Sequence, residues 1–274
     1  MRDRRRLKSK LDTAIVNAMF NLDTWLLGLW ATLGFAVLGW LVSLIKRDVS
    51  IVDSMWSVMF LIALLCYTIV EDLPGPRTGI VLILVSLWAL RLAVHITWRN
   101  WGEDEDYRYQ NIRKRNSPNF QFKSLYIVFG LQAVLAWIIS LPLLAAISGD
   151  NPLGPLDALG AALWLTGFIF ESVGDFQLAR FRKKSKNKAK VLDTGLWKLT
   201  RHPNYFGDFC VWWGLYLFAL SAGAWWSIIS PLLMTILLMR VSGVALLEKD
   251  ITNRRPEYAE YIARTNAFFP GRSR

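Results

Sequence analysis

The sequence predicts an all-α membrane protein that crosses the bilayer with about seven helices. Of its 274 residues, 54% are hydrophobic, and 32 Lys and Arg residues outnumber 21 Asp and Glu residues. The hydrophobic residues are gathered into blocks of about 19–25 residues, the length that a helix needs to cross roughly 30 Å of hydrocarbon. These blocks are 24–45, 51–70, 78–97, 124–148, 155–176, 205–223 and 225–247.

The charged residues lie between these blocks and predict how the chain is oriented. The loops at 46–50, 98–123 and 177–204, together with the C-terminal tail, carry 23 of the 32 basic residues. Because basic loops stay on the cytoplasmic side, we expect an integral protein of the bacterial inner membrane with a cytoplasmic C-terminus. Residues 1–23 form a basic tail or interfacial segment in this interpretation, and residues 24–274 form a single transmembrane domain.

Several kinds of site and partner are excluded by composition. The net charge of +11 reflects topology and contact with anionic membrane lipids, since no interleaved basic and aromatic surface of a nucleic-acid module is visible. Cys66 and Cys210 both fall inside hydrophobic blocks, so no disulfide framework is indicated. His95 and His202 lack the spacing of a zinc site, and no metal is predicted. Without a glycine-rich phosphate loop, any nucleotide must be held by helices and loops. The sequence does not indicate the oligomeric state.

The second block begins with a carboxyl group at Asp53, followed one turn later by Trp56. Asp is a good residue for the start of a helix, so one interpretation of Asp53 is an interfacial cap. In the functional interpretation it faces a dry cavity, where a protonated carboxyl donates a hydrogen bond to a substrate carbonyl.

The third block carries basic residues on one side of the predicted helix. At 100° per residue, Arg91, His95 and Arg99 lie within about 80° of one another. An arginine is costly in lipid, so Arg91 and His95 should face the interior of the bundle, whereas Arg99 by itself would be satisfied at the boundary. We predict His95 as catalytic and Arg99 and Asn100 as cofactor-binding. The acidic run 103–106 is expected to pair with these arginines.

The fifth block ends with Glu171, Asp175 and Arg182 on one helical stripe. Two carboxylates one turn apart repel each other unless amide or hydroxyl groups or cations occupy them. A cofactor would satisfy them, and Gly174 would let a planar group approach the backbone. The alternative is a structural ion pair with Arg91 or Arg240.

Residues 201–208, Arg-His-Pro-Asn-Tyr-Phe-Gly-Asp, collect more polar chemistry than a membrane boundary needs. Such groups at a helix start can hold a polyanionic cofactor. The alternative is an interfacial boundary with a belt tyrosine and a lipid-bound arginine. The functional interpretation makes His202 catalytic and places Tyr258 on a C-terminal stretch that folds back over the cytoplasmic mouth. The predicted cofactor-binding residues here are Arg201, Asn204, Tyr205, Asp208 and Tyr258.

Together these residues resemble a known family. The matching runs are Val52-Asp53-x-x-Trp56, Arg91-x-x-x-His95-x-x-x-Arg99-Asn100, Glu171-x-x-Gly174-Asp175-x-Gln177, Thr194-Gly195-Leu196-Trp197 and Arg201-His202-Pro203-Asn204-Tyr205-Phe206-Gly207. Over about residues 25–270 the chain looks like the bacterial branch of the steroid 5-alpha-reductase-like membrane proteins. Arg-His-Pro-x-Tyr also occurs in isoprenylcysteine carboxyl methyltransferases, which share the C-terminal core and use S-adenosylmethionine.

The resemblance implies a seven-helix enzyme that holds NADPH in a core at about 155–270 and reduces a conjugated C=C bond. The Asn, Asp and Arg that contact the cofactor in eukaryotic steroid reductases fall at Glu171, Asp175 and Arg182. Their later Asn and Glu fall at Asn204 and Asp208. Their carbonyl-binding Glu and Tyr fall at Asp53 and Trp88, and their C-terminal His and Tyr at Val244 and Glu248. Because Trp88 cannot donate a phenolic proton, the expected substrate is a steroid-like or other lipid enone.

The expected mechanism is hydride transfer to the β-carbon of an enone while donors stabilise the developing enolate. Asp53 and His95 are the candidate donors, and His202 assists protonation or orients the cofactor loop. Arg99, Arg182 and Arg201 are expected to bind the NADPH phosphates. The alternative function is an S-adenosylmethionine-dependent membrane methyltransferase.

Overall fold

The computed structural model describes residues 21–72, 75–184, 190–241, 244, 248 and 257–272. Within these ranges the chain is helical and contains no strand. It divides into two compact units. The first holds the described residues up to Leu153 together with Phe218–Ser227, and the second holds Gly154–Leu217 and the described residues from Ile228 onward. Most of the predicted tail at 1–23 lies outside the described residues.

The first unit is built from long helices joined by short connections. These are α1 (Leu22–Lys46), α2 (Ile51–Glu71), α3 (Pro76–Asn100), α4 (Tyr107–Arg115) and α5 (Phe120–Ile147). The second unit contains α6 (Pro155–Arg182), a 3₁₀ turn (Gly195–Lys198), α7 (Pro203–Ser221), α8 (Trp225–Val241) and α9 (Tyr258–Arg264). The last turn of α7 and the start of α8 belong to the first unit.

The all-α polytopic fold class is confirmed. Among the described residues, five helices are long and apolar enough to cross a membrane, and they are α1, α2, α3, α5 and α6. The sixth predicted block contains α7, a helix of 19 residues outside that group of five. The seventh contains α8, which is apolar but shorter. The helices therefore indicate an integral membrane protein, and the count of seven spans stays a prediction.

Small residues set the packing of α1 in the first unit. Its buried positions are small or polar, and they are Thr24, Gly28, Thr32, Ala36, Gly39 and Ser43. Small residues let helices approach closely in a membrane, where no hydrophobic effect drives association. A Cβ at Gly28 would lie 2.4 Å from the Tyr67 ring, and one at Gly39 would lie 2.2 Å from Met55 Sδ. The missing side chains are therefore what lets α1 pack against α2.

Hydrogen bonds of buried side chains also connect α2 to α3 and α2 to α5 in the first unit. Ser57 Oγ on α2 donates to the carbonyl of Ala89 on α3 at 2.8 Å. The Tyr67 hydroxyl contacts Ser140 Oγ on α5 at 2.8 Å, and Ser140 itself donates to the carbonyl of Trp137. Tyr67 is therefore the donor in its pair with Ser140. Ser57, Tyr67 and Ser140 therefore each have a hydrogen-bond partner, which offsets the cost of burying a polar group among apolar helices.

Two pairs of glycines set the crossing of α6 and α7 in the second unit. A Cβ at Gly167 would lie 2.4 Å from the Gly207 carbonyl oxygen, and one at Gly214 would lie 2.7 Å from the Gly160 carbonyl oxygen. Gly160 and Gly167 are seven residues apart on α6, as Gly207 and Gly214 are on α7. The helices run antiparallel with their backbones in contact. This contact brings the start of α7 against the end of α6, where the predicted carboxylates lie.

Candidate functional site

Asp53 lies in a polar cluster with Asp106, Arg108 and Tyr109, which we call the Asp53 cluster. The Arg108 guanidinium donates to Asp53 Oδ2 at 2.5 Å and to Asp106 Oδ1 at 2.9 Å. The Tyr109 hydroxyl donates to Asp53 Oδ1 at 2.5 Å. Both carboxylate oxygens of Asp53 therefore accept hydrogen bonds, and one comes from a cation. In this arrangement Asp53 accepts hydrogen bonds from protein donors, and its predicted role as a donor to a substrate carbonyl stays a prediction.

The Asp53 cluster perturbs the acid–base properties of its members. Burial raises the pKa of the Tyr109 phenol, and the neighbouring Asp53 charge raises it further. Burial would also raise the pKa of Asp106, but hydrogen bonds from Arg108 and the positive charges of Arg108 and Arg99 lower it. Tyr109 therefore stays protonated and Asp106 stays ionised at neutral pH.

The acidic run at 103–106 has different partners from those predicted. Glu105 forms an ion pair with Arg113 at 2.6 Å, and its Oε1 also accepts from the backbone N–H of Val49 at 3.0 Å. The backbone N–H of Asp106 donates to Ser50 Oγ at 2.8 Å. Most of these contacts therefore tie α4 to the start of α2. The side chains of Glu105 and Asp106 accept hydrogen bonds from Arg113 and Arg108, which follow the run in sequence, while the charge of Arg99, which precedes it, also acts on Asp106.

The predicted residues on α3 occupy the end of that helix. His95 is half-buried, and its ring lies 6.2 Å from that of Trp98. Arg91 is likewise half-buried, whereas Arg99 is exposed and donates from Nε to Asn100 Oδ1 at 3.1 Å. The position of Arg99 fits the boundary interpretation of that residue. The roles of His95, Arg99 and Asn100 in catalysis and cofactor binding stay predictions.

A double-mutant cycle should detect the Asp53 contact with Tyr109. We expect Asp53→Asn and Tyr109→Phe each to lower the free energy of unfolding, because each removes a hydrogen bond involving a charged group, worth about 1.5–3 kcal/mol. In the double variant the two losses should fall short of their sum by about 0.5–3 kcal/mol. Denaturation in detergent micelles measures this coupling. Glu103→Gln, an exposed change in the same loop, is the control, and additive losses would show that the two side chains do not interact.

The second unit buries two of the predicted carboxylates side by side on α6. Glu171 is 3% exposed and Asp175 is 7% exposed. The Asn204 amide at the start of α7 donates to Asp175 Oδ1 at 3.2 Å. A Cβ at Gly207 would lie 2.5 Å from the backbone nitrogen of Glu171, so α7 lies directly against this carboxylate pair. The structure thus brings together Glu171, Asp175 and Asn204, which we call the carboxylate–amide cluster.

The motif at 194–197 packs against the motif at 171–177, beside this cluster. Gly195 has a φ of +63°, and a Cβ there would lie 2.5 Å from the Gln177 side chain. The backbone N–H of Leu196 donates to Gln177 Oε1 at 3.1 Å, and the Trp197 indole donates to the Gly174 carbonyl at 3.0 Å. The 3₁₀ turn is thereby fastened to the end of α6.

Gly174 does not provide the open backbone surface that the sequence suggested. A Cβ at this position would lie 3.2 Å from Pro203 Cγ and 3.4 Å from the Asn204 nitrogen. The turn into α7 therefore already occupies the space over Gly174. The glycine is explained by close packing within the second unit, and a planar ligand would have to displace Pro203 to reach it.

Arg201 has a structural role that differs from the predicted phosphate contact. Its Nε and Nη2 donate to the two Glu248 oxygens at 2.7 and 2.8 Å. Nη1 donates to the carbonyls of Ile262 and Thr265, and the residue is 7% exposed. The guanidinium is therefore buried and directed at protein acceptors, where it joins the C-terminal segment to the start of α7. A phosphate would have to compete with a bidentate carboxylate for it.

His202 shares the same carboxylate. Its Nε2 lies 2.8 Å from Glu248 Oε1, and the Tyr205 ring stacks on the imidazole with ring centroids 5.6 Å apart. Burial would raise the pKa of Glu248, but hydrogen bonds and charges from His202 and Arg201 lower it to about 2. Glu248 is therefore ionised at neutral pH and accepts from Nε2–H. We call Arg201, His202 and Glu248 the Glu248 clasp.

The remaining predicted residues of the second unit, Tyr258, Arg182 and Asp208, differ in how deeply they are buried. Tyr258 is buried, and its ring lies 5.3 Å from that of Tyr261, whose hydroxyl donates to the Trp197 carbonyl. Arg182 is exposed in the last turn of α6, and Asp208 is half-buried one turn after Asn204. α9 thus packs on the 3₁₀ turn, so Tyr258 belongs to the interior of the fold-back segment.

Sequence reasoning assigned no site role to Glu248, Arg108 or Tyr109. Glu248 had been matched only to a family position, and its charge directly after an apolar block was the available signal. Arg108 and Tyr109 directly follow an acidic run, so their signal was charge alternation in a loop. In all three cases the partner lies more than 45 residues away in sequence, and periodicity along one helix does not reveal such contacts.

The second unit can therefore supply hydrogen-bond acceptors, an amide and an oriented imidazole in one region. Glu171 and Asp175 can accept from hydroxyl or amide groups of a nucleotide, and the exposed Arg182 can reach an anionic group. The described residues contain no group of three or more His, Cys, Asp or Glu side chains placed to hold a metal ion.

Comparisons with known proteins identify the family of the chain. Residues 39–265 match a family described as "Protein of unknown function (DUF1295)". The chain is also 24% identical over 284 residues to the uncharacterized protein C594.04c of Schizosaccharomyces pombe (strain 972 / ATCC 24843), which covers 92% of this chain and 81% of that protein. No solved structure matches the chain. Because the family match covers most of its length, the chain belongs to the DUF1295 family, which includes steroid 5-alpha-reductase-like membrane proteins.

Proposed function

We propose that the protein is a membrane-embedded, NADPH-dependent oxidoreductase that reduces a conjugated C=C bond of a steroid-like or other lipid enone. The observation that carries the proposal is the carboxylate–amide cluster, in which two buried acids and an amide meet at the end of an apolar helix. Ionisable groups inside membrane helices are costly and usually functional. The family match and the sequence resemblance support the same reaction class.

Within this proposal, different residues bind the carboxamide and ribose hydroxyls of the cofactor and its phosphates. Glu171, Asp175 and Asn204 offer acceptors and an amide that suit a carboxamide and ribose hydroxyls. The exposed guanidinium of Arg182 is the phosphate-binding group, since a planar fork binds phosphate with two hydrogen bonds. Arg201 is left out of this set because its guanidinium is bound by Glu248.

The chemistry requires a hydride, which bound NADPH supplies, and protein groups that stabilise and protonate the enolate. His202 is the candidate proton donor, because its ring is held by a carboxylate and stacked on Tyr205. The role of His95 as a donor to the substrate carbonyl stays a prediction from the sequence. Asp53 is assigned to holding α4 through Arg108 and Tyr109.

One observation favours a second candidate, an S-adenosylmethionine-dependent methyltransferase. With Arg201 engaged by Glu248, the buried charges beside α7 are the carboxylates Glu171 and Asp175. Carboxylates attract the sulfonium and ammonium cations of S-adenosylmethionine more strongly than they attract the phosphates of NADPH. This alternative predicts that the same cluster binds the methyl donor.

Ligand binding to the purified protein separates the two candidates. We expect NADPH to raise the thermal midpoint and S-adenosylmethionine to leave it unchanged, since a ligand stabilises only the state that binds it. Asp175→Asn and Arg182→Ala should weaken NADPH binding, and Arg182→Ala should remove about 1.5–3 kcal/mol of binding free energy. Arg180→Ala, which removes an exposed arginine from the same helix, is the matched control.

The same ligand-binding experiment can contradict the reductase proposal. Stabilisation by S-adenosylmethionine without any effect of NADPH would assign the protein to the methyltransferases. Asp175→Asn would then be expected to weaken binding of the methyl donor. Equal losses of NADPH affinity in Arg182→Ala and Arg180→Ala would show that both act through general charge, with no specific phosphate contact at Arg182.

A further inference from the structure

Within the described part of the chain, the His202 imidazole is hydrogen-bonded at one of its two ring nitrogens. Glu248 occupies Nε2 at 2.8 Å, and Tyr205 covers a ring face with an interplanar angle of 6°. Among the described residues, no hydrogen bond to Nδ1 is present, and Nδ1 is not sealed from solvent as fully buried polar atoms are. The two nitrogens of one imidazole therefore have different surroundings, although the residue as a whole is 4% exposed.

The carboxylate that holds Nε2 is itself immobilised. Arg201 binds both Glu248 oxygens, and Arg201 is in turn held by the backbone carbonyls of Ile262 and Thr265. The Arg201 backbone N–H also donates to the Asn266 carbonyl at 2.9 Å. The position of the imidazole is thus determined through a chain of contacts that ends in the C-terminal segment. A merely solvated glutamate would leave the ring free to turn.

We propose that Glu248 is a positioning residue that holds His202 with Nε2–H on the carboxylate and Nδ1 directed to the substrate. A carboxylate that accepts from one ring nitrogen selects the tautomer and stabilises the cation, as in hydrolase triads. The assignment of a role to Nδ1 rests on the proposed reductase function, whereas the tautomer itself does not.

The proton balance of the step is simple. After hydride has added to the β-carbon, the enolate electron pair forms a C–H bond at the α-carbon with the proton of Nδ1–H. The N–H bond breaks, and its electrons stay on the imidazole. The ring is left neutral with Nε2–H still donating to Glu248, and water restores the proton at Nδ1. NADPH, the reductant of the proposed function, is the source of the hydride.

Among the residues that the structure describes, the charged and titratable groups that face His202 are Glu248, Arg201 and the Tyr205 phenol. Tyr258 and Tyr261 lie behind Arg201 and act on its charge. The carboxylate contact is the closest of these, because it is a direct hydrogen bond to Nε2. Glu248 stays ionised well below neutral pH, because the pKa of its carboxyl is lowered to about 2.

The chain has two histidines, which makes the ring state directly measurable. We would label histidine with ¹⁵N in the full-length protein in lipid nanodiscs and assign the signals with His95→Gln and His202→Gln. We expect neutral His202 to carry its proton on Nε2, with Nδ1 unprotonated. A neutral wild-type His202 that carries its proton on Nδ1, or that exchanges between both tautomers as a solvated ring does, overturns the proposal.

Variants then test the role of the carboxylate. Glu248→Gln should populate both tautomers and lower kcat at least tenfold, while the dissociation constant for NADPH stays within about threefold. Tyr205→Phe, which keeps the stacked ring, should leave the tautomer unchanged. A Glu248→Gln protein that keeps the wild-type tautomer and kcat overturns the positioning role. If the tautomer is as expected but NADPH does not bind, the reductase proposal fails and the orientation of His202 stands.

Discussion

Gly207→Ala is expected to separate α6 from α7 and to abolish cofactor binding. The added Cβ would lie 2.5 Å from the Glu171 nitrogen and 2.6 Å from the Gly167 carbonyl oxygen, and both of these are backbone atoms that cannot rotate away. Overpacking of this kind costs about 1–3 kcal/mol. One of these two backbone atoms belongs to Glu171. Displacing it therefore also moves the carboxylate–amide cluster. Thermal unfolding and NADPH binding in detergent would measure the two effects.

The control for this variant is Gly34→Ala on α1, where an added Cβ has no heavy atom within 4 Å. Alanine is the better helix former by about 1 kcal/mol, so this change should leave stability unchanged or raise it. Gly167→Ala, on the opposite side of the same crossing, should reproduce the loss seen with Gly207→Ala. Equal stability of Gly207→Ala and Gly34→Ala would show that the helices do not approach as closely as described.

Glu248→Leu is expected to destabilise the second unit by about 3–5 kcal/mol, because it leaves the buried Arg201 guanidinium without its counter-ion. The combination Arg201→Met with Glu248→Leu should recover part of this loss, since replacing both charges by apolar side chains is often close to neutral. Chemical denaturation gives the two free energies. Limited proteolysis at the C-terminal segment, which Arg201 binds through Thr265, reports the same opening locally.

The contrasting pair is Arg264 with Asp193, whose side chains are 45% and 37% exposed. Exposed ion pairs contribute about 0–1 kcal/mol, so Arg264→Ala should have little effect. The stability that ionised Glu248 contributes is present above the ordinary carboxyl pKa of 4.5 and is lost as the pH falls toward about 2. A loss in Arg264→Ala as large as that in Glu248→Leu would show that burial of the clasp confers no special stability.

A reductase and a methyltransferase both remain chemically consistent with a helical core that ends in the motif at 201–208. The two functions differ in the charges of the cofactor that the protein must bind. NADPH brings several phosphate charges, whereas S-adenosylmethionine brings a sulfonium, an ammonium and a single carboxylate. Because Glu248 binds Arg201, exposed arginines such as Arg182 become the important residues for discrimination.

The sequence by itself determined the all-α membrane fold and the bounds of most helices. Blocks of about 20 apolar residues have no low-energy form in lipid except a helix, because every backbone N–H and C=O must be satisfied within the segment. The carboxylate pair on α6 was also predictable, since Glu171 and Asp175 lie one turn apart on one helix and need no distant information. The length of the apolar blocks was sufficient for the first prediction, and helical periodicity was sufficient for the second.

Only the tertiary structure decided which charged groups are buried and which are exposed. Arg201 and Arg182 look equivalent in the sequence, yet one is buried against Glu248 and the other is exposed. Asp53 likewise has no partner that the sequence indicates. In the structure it contacts Arg108 and Tyr109, which are 55 and 56 residues away in sequence. An ion pair depends on distance and burial, and both are set by how separate helices pack. Local sequence patterns contain no information about that packing, which is why the partners of these charges could not be predicted.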